Sequence, residues 1–377
     1  MVLRGELLDK PTYTFLQTMY EGNTGVCYKC EHEIFGEPIV QKTISLLGLD
    51  DAVAYDEPRL LHLMTHENLV EIREAQWDPE PRWAGLKAIT FTMPYYEGKS
   101  VHDALAEGHQ FSLGAAVEVT SGVLAALHYL HVSHRVLHRD IKPGNVMLDE
   151  NRRHAYVGDL GSAAHMNDLG MTDARSGSLF YRPPEYASGI FSARSDLYGA
   201  GMTFIEMLNG PFPYEDLNPE VMEQRLSEGR RSLADRWFTF PPQVPDKLAQ
   251  FVRSLLARDP ARRPLDAAAA RRVLLRIPFV DWEGEERSAS GVRSWTGTWP
   301  PQVPKDRART YKIELEPIAN GPNRGYLRAT ARWQRPGSSN WRGLRSLDRR
   351  IQGENDSELR VFFSDVAAAA AQQVAAT

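Results

Sequence analysis

The stretch Val136–Leu148, VLHRDIKPGNVML, sets an aspartate, a lysine and an asparagine at positions 140, 142 and 145. A carboxylate such as Asp140 can orient an incoming hydroxyl and take its proton. An amide carbonyl such as that of Asn145 and a second carboxylate, Asp159 of GDLGSA, are the oxygen ligands that a hard ion such as magnesium prefers. Far upstream, Met19–Cys30, MYEGNTGVCYKC, reads in two ways. It is a glycine-bearing turn whose backbone N–H groups cradle phosphates, or a Cys-x-x-Cys pair for a metal or disulfide. Two cysteines at this spacing on one strand point to opposite faces, and the sequence has no second pair to complete four ligands. The phosphate turn is the better reading.

These residues need a scaffold. The chain has 377 residues, room for about two domains, with 42% apolar and 25% charged residues, the balance of a globular protein able to bury a core. A net charge of −5 argues against whole-protein binding of polyanions. Two cysteines three apart form no disulfide framework, which fits a reducing compartment. No apolar run approaches the ~18 residues that span a bilayer, and the N-terminus lacks a signal-peptide pattern. A cytoplasmic protein with no membrane partner is the expectation.

Residues 12–93 read mostly as strands: Tyr13–Tyr20, Val26–His32, Glu37–Ile44, Val70–Gln76 and Leu86–Met93, with a helical patch at Arg59–Met64. After Gly98 the pattern turns helical, at Val101–Ala106, Leu113–Val132, Ser195–Leu208, Glu220–Glu228, Pro245–Ala257 and Leu265–Arg272. Short strands fall near Asn145–Leu148 and His154–Val157. Residues 279–309 lack periodicity and read as a linker. Residues 310–365 look strand-rich, including Leu359–Phe363, and 366–377 form an Ala-rich tail expected to fray.

VLHRDIKPGNVML resembles the catalytic loop of the eukaryotic-type, or Hanks-type, serine/threonine protein kinases. The resemblance implies an α+β, bilobal protein-kinase fold, with an N-lobe (12–93), hinge (94–98) and C-lobe (99–278). The residue pattern beyond it, which resembles no known family, adds a linker (279–309), a small C-terminal β-rich module (310–365) and a tail (366–377). The resemblance makes Asp140 the catalytic acid/base and Lys142 a contact to the transferring phosphoryl group, the latter pointing to Ser/Thr rather than Tyr substrates. Asn145 and Asp159 become ligands of Mg2+, with Leu160 replacing the usual Phe after Asp159. SGSLFYRPPEY, Ser176–Tyr186, resembles the end of the activation segment, with Ser178 in the Thr position. Glu185 should pair with Arg263 of RDPARRP, and Asp196 of RSDLYGAG should brace the catalytic loop.

At the front, the resemblance makes Lys42 of EPIVQKTI the phosphate-contacting lysine and Glu57 the carboxylate that aims it, with Leu61 stacking on His138 and Leu160. Pro58, directly after Glu57, is a departure, because proline breaks a helix interior. A helix that starts late or kinks is expected there. In the glycine turn Gly22 and Gly25 align, Tyr20 replaces the first glycine, and Cys27 replaces the Val that lids adenine. Val40, Met147 and the gate residue Met93 complete the ATP pocket, with the backbone of Pro94 and Tyr96 facing the base. Arg139 precedes Asp140, so a phosphate on Thr172 or Ser176 could pair with it; a segment ordered without phosphate is the alternative.

The implied function is an ATP- and Mg2+-dependent protein kinase that acts on protein Ser/Thr hydroxyls and autophosphorylates. The alternatives are a pseudokinase scaffold that binds nucleotide without transfer, suggested by the altered glycine turn and Pro58, and a small-molecule phosphotransferase. The Tyr181–Glu185 segment, which docks peptides, speaks against the last. From Arg328 to Arg350 seven arginines are interleaved with Trp333 and Trp341. That pattern fits a nucleic-acid or partner contact, or the solvated face of a β-hairpin with two core tryptophans.

Overall fold

Strand-forming runs near the front of the chain pair into one antiparallel sheet in the computed structural model, which describes residues 12–21, 25–45, 51–77, 88–174, 177–283, 285–300, 307–352 and 356–375. The strands are β1 (Tyr13–Glu21), β2 (Gly25–His32), β3 (Pro38–Ser45), β4 (Glu74–Trp77) and β5 (Ala88–Pro94), in the order β1-β2-β3-β5-β4. On β3 the buried Ile39, Val40, Thr43 and Ile44 alternate in pairs with half-exposed Gln41 and Lys42, so Lys42 leaves the sheet toward one side. Helix α1 (Asp51–Leu63) runs on through Pro58 rather than starting late. A proline there deletes one N–H, a loss the remaining turns absorb, and Pro58 itself is buried.

The larger lobe is helical. Ser100 and Asp103 close a capping box on α2 (Val101–Ala106), and Ser112 caps α3 (Leu113–Ser133). With 21 residues and a mean hydropathy of 1.4 in its most apolar window, α3 has the length and apolarity of a membrane span, contrary to the sequence expectation. It is the lobe's core helix: Leu124, Leu127 and Leu130 are fully buried. Short strand pairs hold the loops: β6 (Val136–Leu137), β7 (Val146–Leu148), β8 (Ala155–Val157), β9 (Ala164–His165), β10 (Met171–Asp173) and β11 (Ile190–Ser192), paired β6 with β9, β7 with β8 and β10 with β11. Helices α4 (Ala193–Asn209), α5 (Pro219–Ser227), α6 (Asp246–Leu255) and α7 (Ala267–Leu274) complete it. One buried cluster extends from Ile44, Leu61 and Phe91 through α3 to Phe279, so the two lobes share a core at their junction.

Residues 279–309, expected as a linker, instead begin a second sheet with β12 (Asp281–Trp282), β13 (Glu286–Arg287) and β14 (Arg293–Trp299). β15 (Arg309–Pro317), β16 (Tyr326–Gln334), β17 (Arg342–Gly343) and β18 (Arg349–Gln352) follow. The Ser, Gly and charged residues that masked β14 lie on its half-buried face or in turns, while Trp295, Gly297 and Trp299 alternate inward. Leu359–Phe363 is helical, not a strand, and the tail continues it as α8 (Asp356–Ala375). Leu359, Phe362, Phe363, Val366 and Ala370 are all buried, a three-and-four spacing that makes one helix face on the sheet. That packing holds a tail that high propensity alone would leave frayed.

Two charged anchors join this module to the large lobe. Asp281 accepts the Gly114 N–H at the start of α3 at 2.5 Å, with Arg153 at 3.5 Å. Arg360 of α8 donates to the Phe240 carbonyl at 2.8 Å.

Candidate active site

Asp196, at the N-terminal turn of α4, fixes the backbone around Asp140. It accepts the N–H of His138 at 2.9 Å and of Arg139 at 2.8 Å, and meets Nε2 of His131 at 2.8 Å. Burial opposes its charge, but His131 and the His138 N–H outweigh burial and hold the carboxyl below the usual range. Asp140 follows, 8% exposed. Its Oδ1 accepts the Ser178 N–H at 2.8 Å, and Lys142 Nζ donates to its Oδ2 at 2.6 Å and to Ser178 Oγ at 2.8 Å. The acid, the lysine and the serine therefore close a triangle.

Asn145 donates its Nδ2 to the Asp140 carbonyl at 2.8 Å and, more weakly, to Asp140 Oδ2 at 3.3 Å. A planar amide so engaged presents Oδ1 on its other side. The Asn145 carbonyl accepts the Gly158 N–H at 2.9 Å, which binds the backbone of the asparagine to the residue preceding Asp159. Asp159 takes a left-handed backbone, φ +59°, and its carboxylate is 44% exposed. Amide and carboxylate oxygens are the donor set a hard divalent cation requires, so Asn145 and Asp159 fit magnesium.

From the small lobe, Lys42 Nζ contacts Glu57 at 2.8 and 2.9 Å and Asp159 Oδ1 at 2.9 Å. Burial alone would lower the lysine, yet the two carboxylates hold it above its ordinary value. Burial pushes Glu57 up against the pull of Lys42, whereas Asp159, also opposed by burial, is held low by the same lysine. The Lys42–Glu57 pair thus forms despite Pro58. Cys27 and Phe91 flank Lys42 in the ladder, and Val40 faces Met93. The Lys42 ammonium lies 5.8 Å from the Phe91 ring centre.

Comparison with known proteins bears directly on this geometry. The profile of the protein kinase domain matches residues 13–274. The chain belongs to the protein kinase family. It is 30% identical over 273 residues to the DNA damage-responsive serine/threonine-protein kinase RqkA of Deinococcus radiodurans, covering 68% of this chain and 38% of that protein. It is 28% identical over 283 residues to the serine/threonine-protein kinase Nek4 of Mus musculus (72% and 33%). With the striated muscle preferentially expressed protein kinase of Danio rerio it shares 26% over 265 residues (70% and 8%). The chain spans less than two thirds of each of these relatives.

The remaining kinase positions fall as follows. Glu185 and Arg263 meet in two bonds of 2.6 Å, and Ser195 adds a third to the carboxylate at 2.8 Å. Leu61 and Leu160 share the buried cluster, while His138, fully buried, lies 3.0 Å from the Gly158 carbonyl through Nε2. Met147 pairs with Ser100 across the connector, and Pro94 ends β5 opposite Ile39. The Tyr96 carbonyl accepts from Lys99 at 2.9 Å, and its ring packs on Tyr156 with centres 4.4 Å apart. Gly25 carries a packing role: a Cβ there would stand 2.5 Å from the Thr43 carbonyl. Burial raises the Cys27 thiol to about 11. Thr172 is half-buried on β10, opposite Phe191. Gly22 and Ser176 lie outside the described residues.

Two features escaped the sequence reading. Asp173 pairs with Arg139 Nη1 at 2.6 Å; the signal was an acid immediately after Thr172. Beneath Tyr181–Glu185, Tyr214 donates to Glu206 at 2.5 Å and bonds Tyr181 at 2.5 Å. Trp333 is half-buried under Arg309 and Arg342, with guanidinium centres 5.2 and 5.4 Å from its ring, whereas Trp341 is 40% exposed and is no core residue.

Proposed function

We propose that the protein transfers the γ-phosphoryl group of ATP to Ser/Thr hydroxyls of protein substrates. The observation that carries this reading is the triangle of Asp140, Lys142 and Ser178, which puts a fixed carboxylate beside a cation where a hydroxyl and a phosphoryl group would meet. Asp140 orients the substrate hydroxyl and receives its proton as the new O–P bond forms and the bond from the γ-phosphorus to the bridging oxygen breaks. Lys142 stabilises charge on the transferring group. Lys42, aimed by Glu57, holds the other phosphates. Asn145 and Asp159 are the residues that would hold magnesium, which when bound neutralises phosphate charge that would repel the incoming oxygen. ADP and a phosphorylated side chain are the products.

The Lys42–Glu57 pair removes the motive that Pro58 gave for a pseudokinase scaffold. A mixed-charge surface supports reading 328–350 as a solvated sheet face rather than a nucleic-acid contact: Lys312 lies 2.8 Å and Arg332 3.6 Å from Glu314, and Arg349 2.5 Å from Asp365. The test is intact-mass measurement after incubation with ATP and magnesium, with site mapping. Added phosphate in wild type and none in Asp140→Asn is expected; equal mass in both proteins, with nucleotide bound, would favour the scaffold.

A further inference from the structure

Arg139 joins three parts of the active site. Its N–H is fixed by Asp196 at 2.8 Å, directly before Asp140. Its guanidinium turns away to the segment that leaves Asp159: Nε donates to the Ser162 carbonyl at 2.5 Å and Nη2 to the Ala163 carbonyl at 3.5 Å. Nη1 donates to Asp173, at 2.6 Å to the carboxylate and 3.2 Å to the carbonyl. Asp173 ends β10, which is held in place by β11 through Asp173 opposite Ile190. Five residues on, the same segment delivers the Ser178 N–H to Asp140 at 2.8 Å.

A forked cation beside the catalytic acid is where an added phosphate would bind and order such a segment. Here that position already holds an anion encoded in the chain, and the Arg139 side chain is only 13% exposed. Thr172 cannot easily supply a competing phosphate. Side chains alternate along a strand, so Thr172 points to the opposite face of β10 from Asp173.

We propose that Asp173 is a positioning residue that, through Arg139, holds Ser162–Ala174 and Ser178 in their transfer-ready arrangement, so that transfer requires no phosphate on Thr172. The inference rests on the phosphotransferase reading above. Asp173 acts by fixing where Ser178, and through it Asp140, stand; it touches no substrate atom.

The experiment uses the full chain. The protein is treated with a broad-specificity phosphatase until intact mass shows no phosphate, then assayed with ATP, magnesium and a Ser/Thr peptide. Wild type keeps its turnover within about twofold of the untreated protein. Asp173→Asn keeps the side-chain shape but loses the charge, and kcat falls about tenfold, the loss of one charge-assisted contact, with KM for ATP little changed. Asp173→Glu recovers most of the loss. Hydrogen exchange over residues 162–174 reads the pin without any turnover: it accelerates in Asp173→Asn. Unchanged exchange and kcat in that variant overturn the proposal, as does wild-type turnover lost on dephosphorylation. Absence of transfer by the untreated wild type, with ATP bound, overturns the underlying phosphotransferase reading instead.

Discussion

Glu185 and Arg263, 78 residues apart, meet in two parallel bonds of 2.6 Å, with the arginine side chain fully buried and the glutamate 12% exposed. Arg263 also donates to the carbonyls of Ala257 at 2.9 Å and Arg194 at 2.8 Å. This one side chain therefore ties the Glu185 segment to α4 and to the turn before α7. Removing one partner strands a charge in the core. Arg263→Ala is expected to cost about 3–5 kcal/mol of unfolding free energy. Arg263→Lys recovers little, because an ammonium cannot reproduce the fork. Denaturant unfolding of the two variants checks this; a loss below about 1 kcal/mol in Arg263→Ala would contradict it.

Lys42 should matter more to transfer than to folding. Lys42→Met removes the cation between Glu57 and Asp159, and kcat/KM for peptide phosphorylation should fall by about 10²–10³, the scale of losing one electrostatic contact to a reacting group. Glu57→Gln, which leaves the lysine less firmly aimed, should fall by about tenfold. A larger effect for Glu57→Gln than for Lys42→Met would reverse the assigned roles.

Burial raises the Glu206 carboxyl to about 7, against the pull of its bonds to Tyr214 and Tyr181. The folded chain therefore keeps a proton that the unfolded chain releases near its ordinary value of 4.5. Stability contributed by this group is complete below that value and is lost as pH rises toward about 7, a change on the order of 3 kcal/mol. Glu206→Gln abolishes the dependence. Thermal unfolding of both proteins between pH 5 and pH 8 should show the wild type losing ground to the variant as pH rises; parallel curves would sink the assignment.

The Cys27 thiol, raised by burial to about 11, is a poor nucleophile at neutral pH. Its alkylation by iodoacetamide at pH 7.5 should run about a hundredfold slower than that of an ordinary exposed thiol, from the thiolate fraction alone. Mass-resolved labelling measures it. Fast modification of Cys27 would reopen the disulfide reading of the Cys-x-x-Cys pair.

The module's attachment depends on Gly114. A Cβ there would stand 2.5 to 2.7 Å from the carboxyl atoms of Asp281. Gly114→Ala should destabilise the chain by about 1–3 kcal/mol, and by clearly less in an Asp281→Ala background, where the crowding carboxylate is gone. Additive losses in this cycle, followed by unfolding, would mean that the contact does not couple the two parts.

What the sequence made legible followed from how local each relationship is. Asp140, Lys142 and Asn145 lie within six residues, so their spacing is nearly their geometry. Lys42 with Glu57 and Glu185 with Arg263 are long-range pairs, and family resemblance supplied the link that residue patterns could not. Asp173 stayed hidden because its partner depends on the left-handed backbone of Arg139, φ +67°, which no local pattern reports. In the C-terminal module β14 went unseen because Ser294, Thr296 and Thr298 occupy its outer positions and Gly297 interrupts its inner ones. Leu359–Phe363 was misread because five residues are too few to separate a strand from one face of a helix. Helix α1 begins before Pro58 because a single lost bond weighs less than the turns on either side.

The most direct measurement is steady-state peptide phosphorylation by wild type and Asp140→Asn, with ATP affinity determined in parallel. The account predicts ready transfer by wild type, a fall of at least about 10² in kcat for the variant, and ATP binding within a few-fold of wild type. Equal rates in the two proteins, or no transfer by a wild type that binds ATP and magnesium, would contradict it.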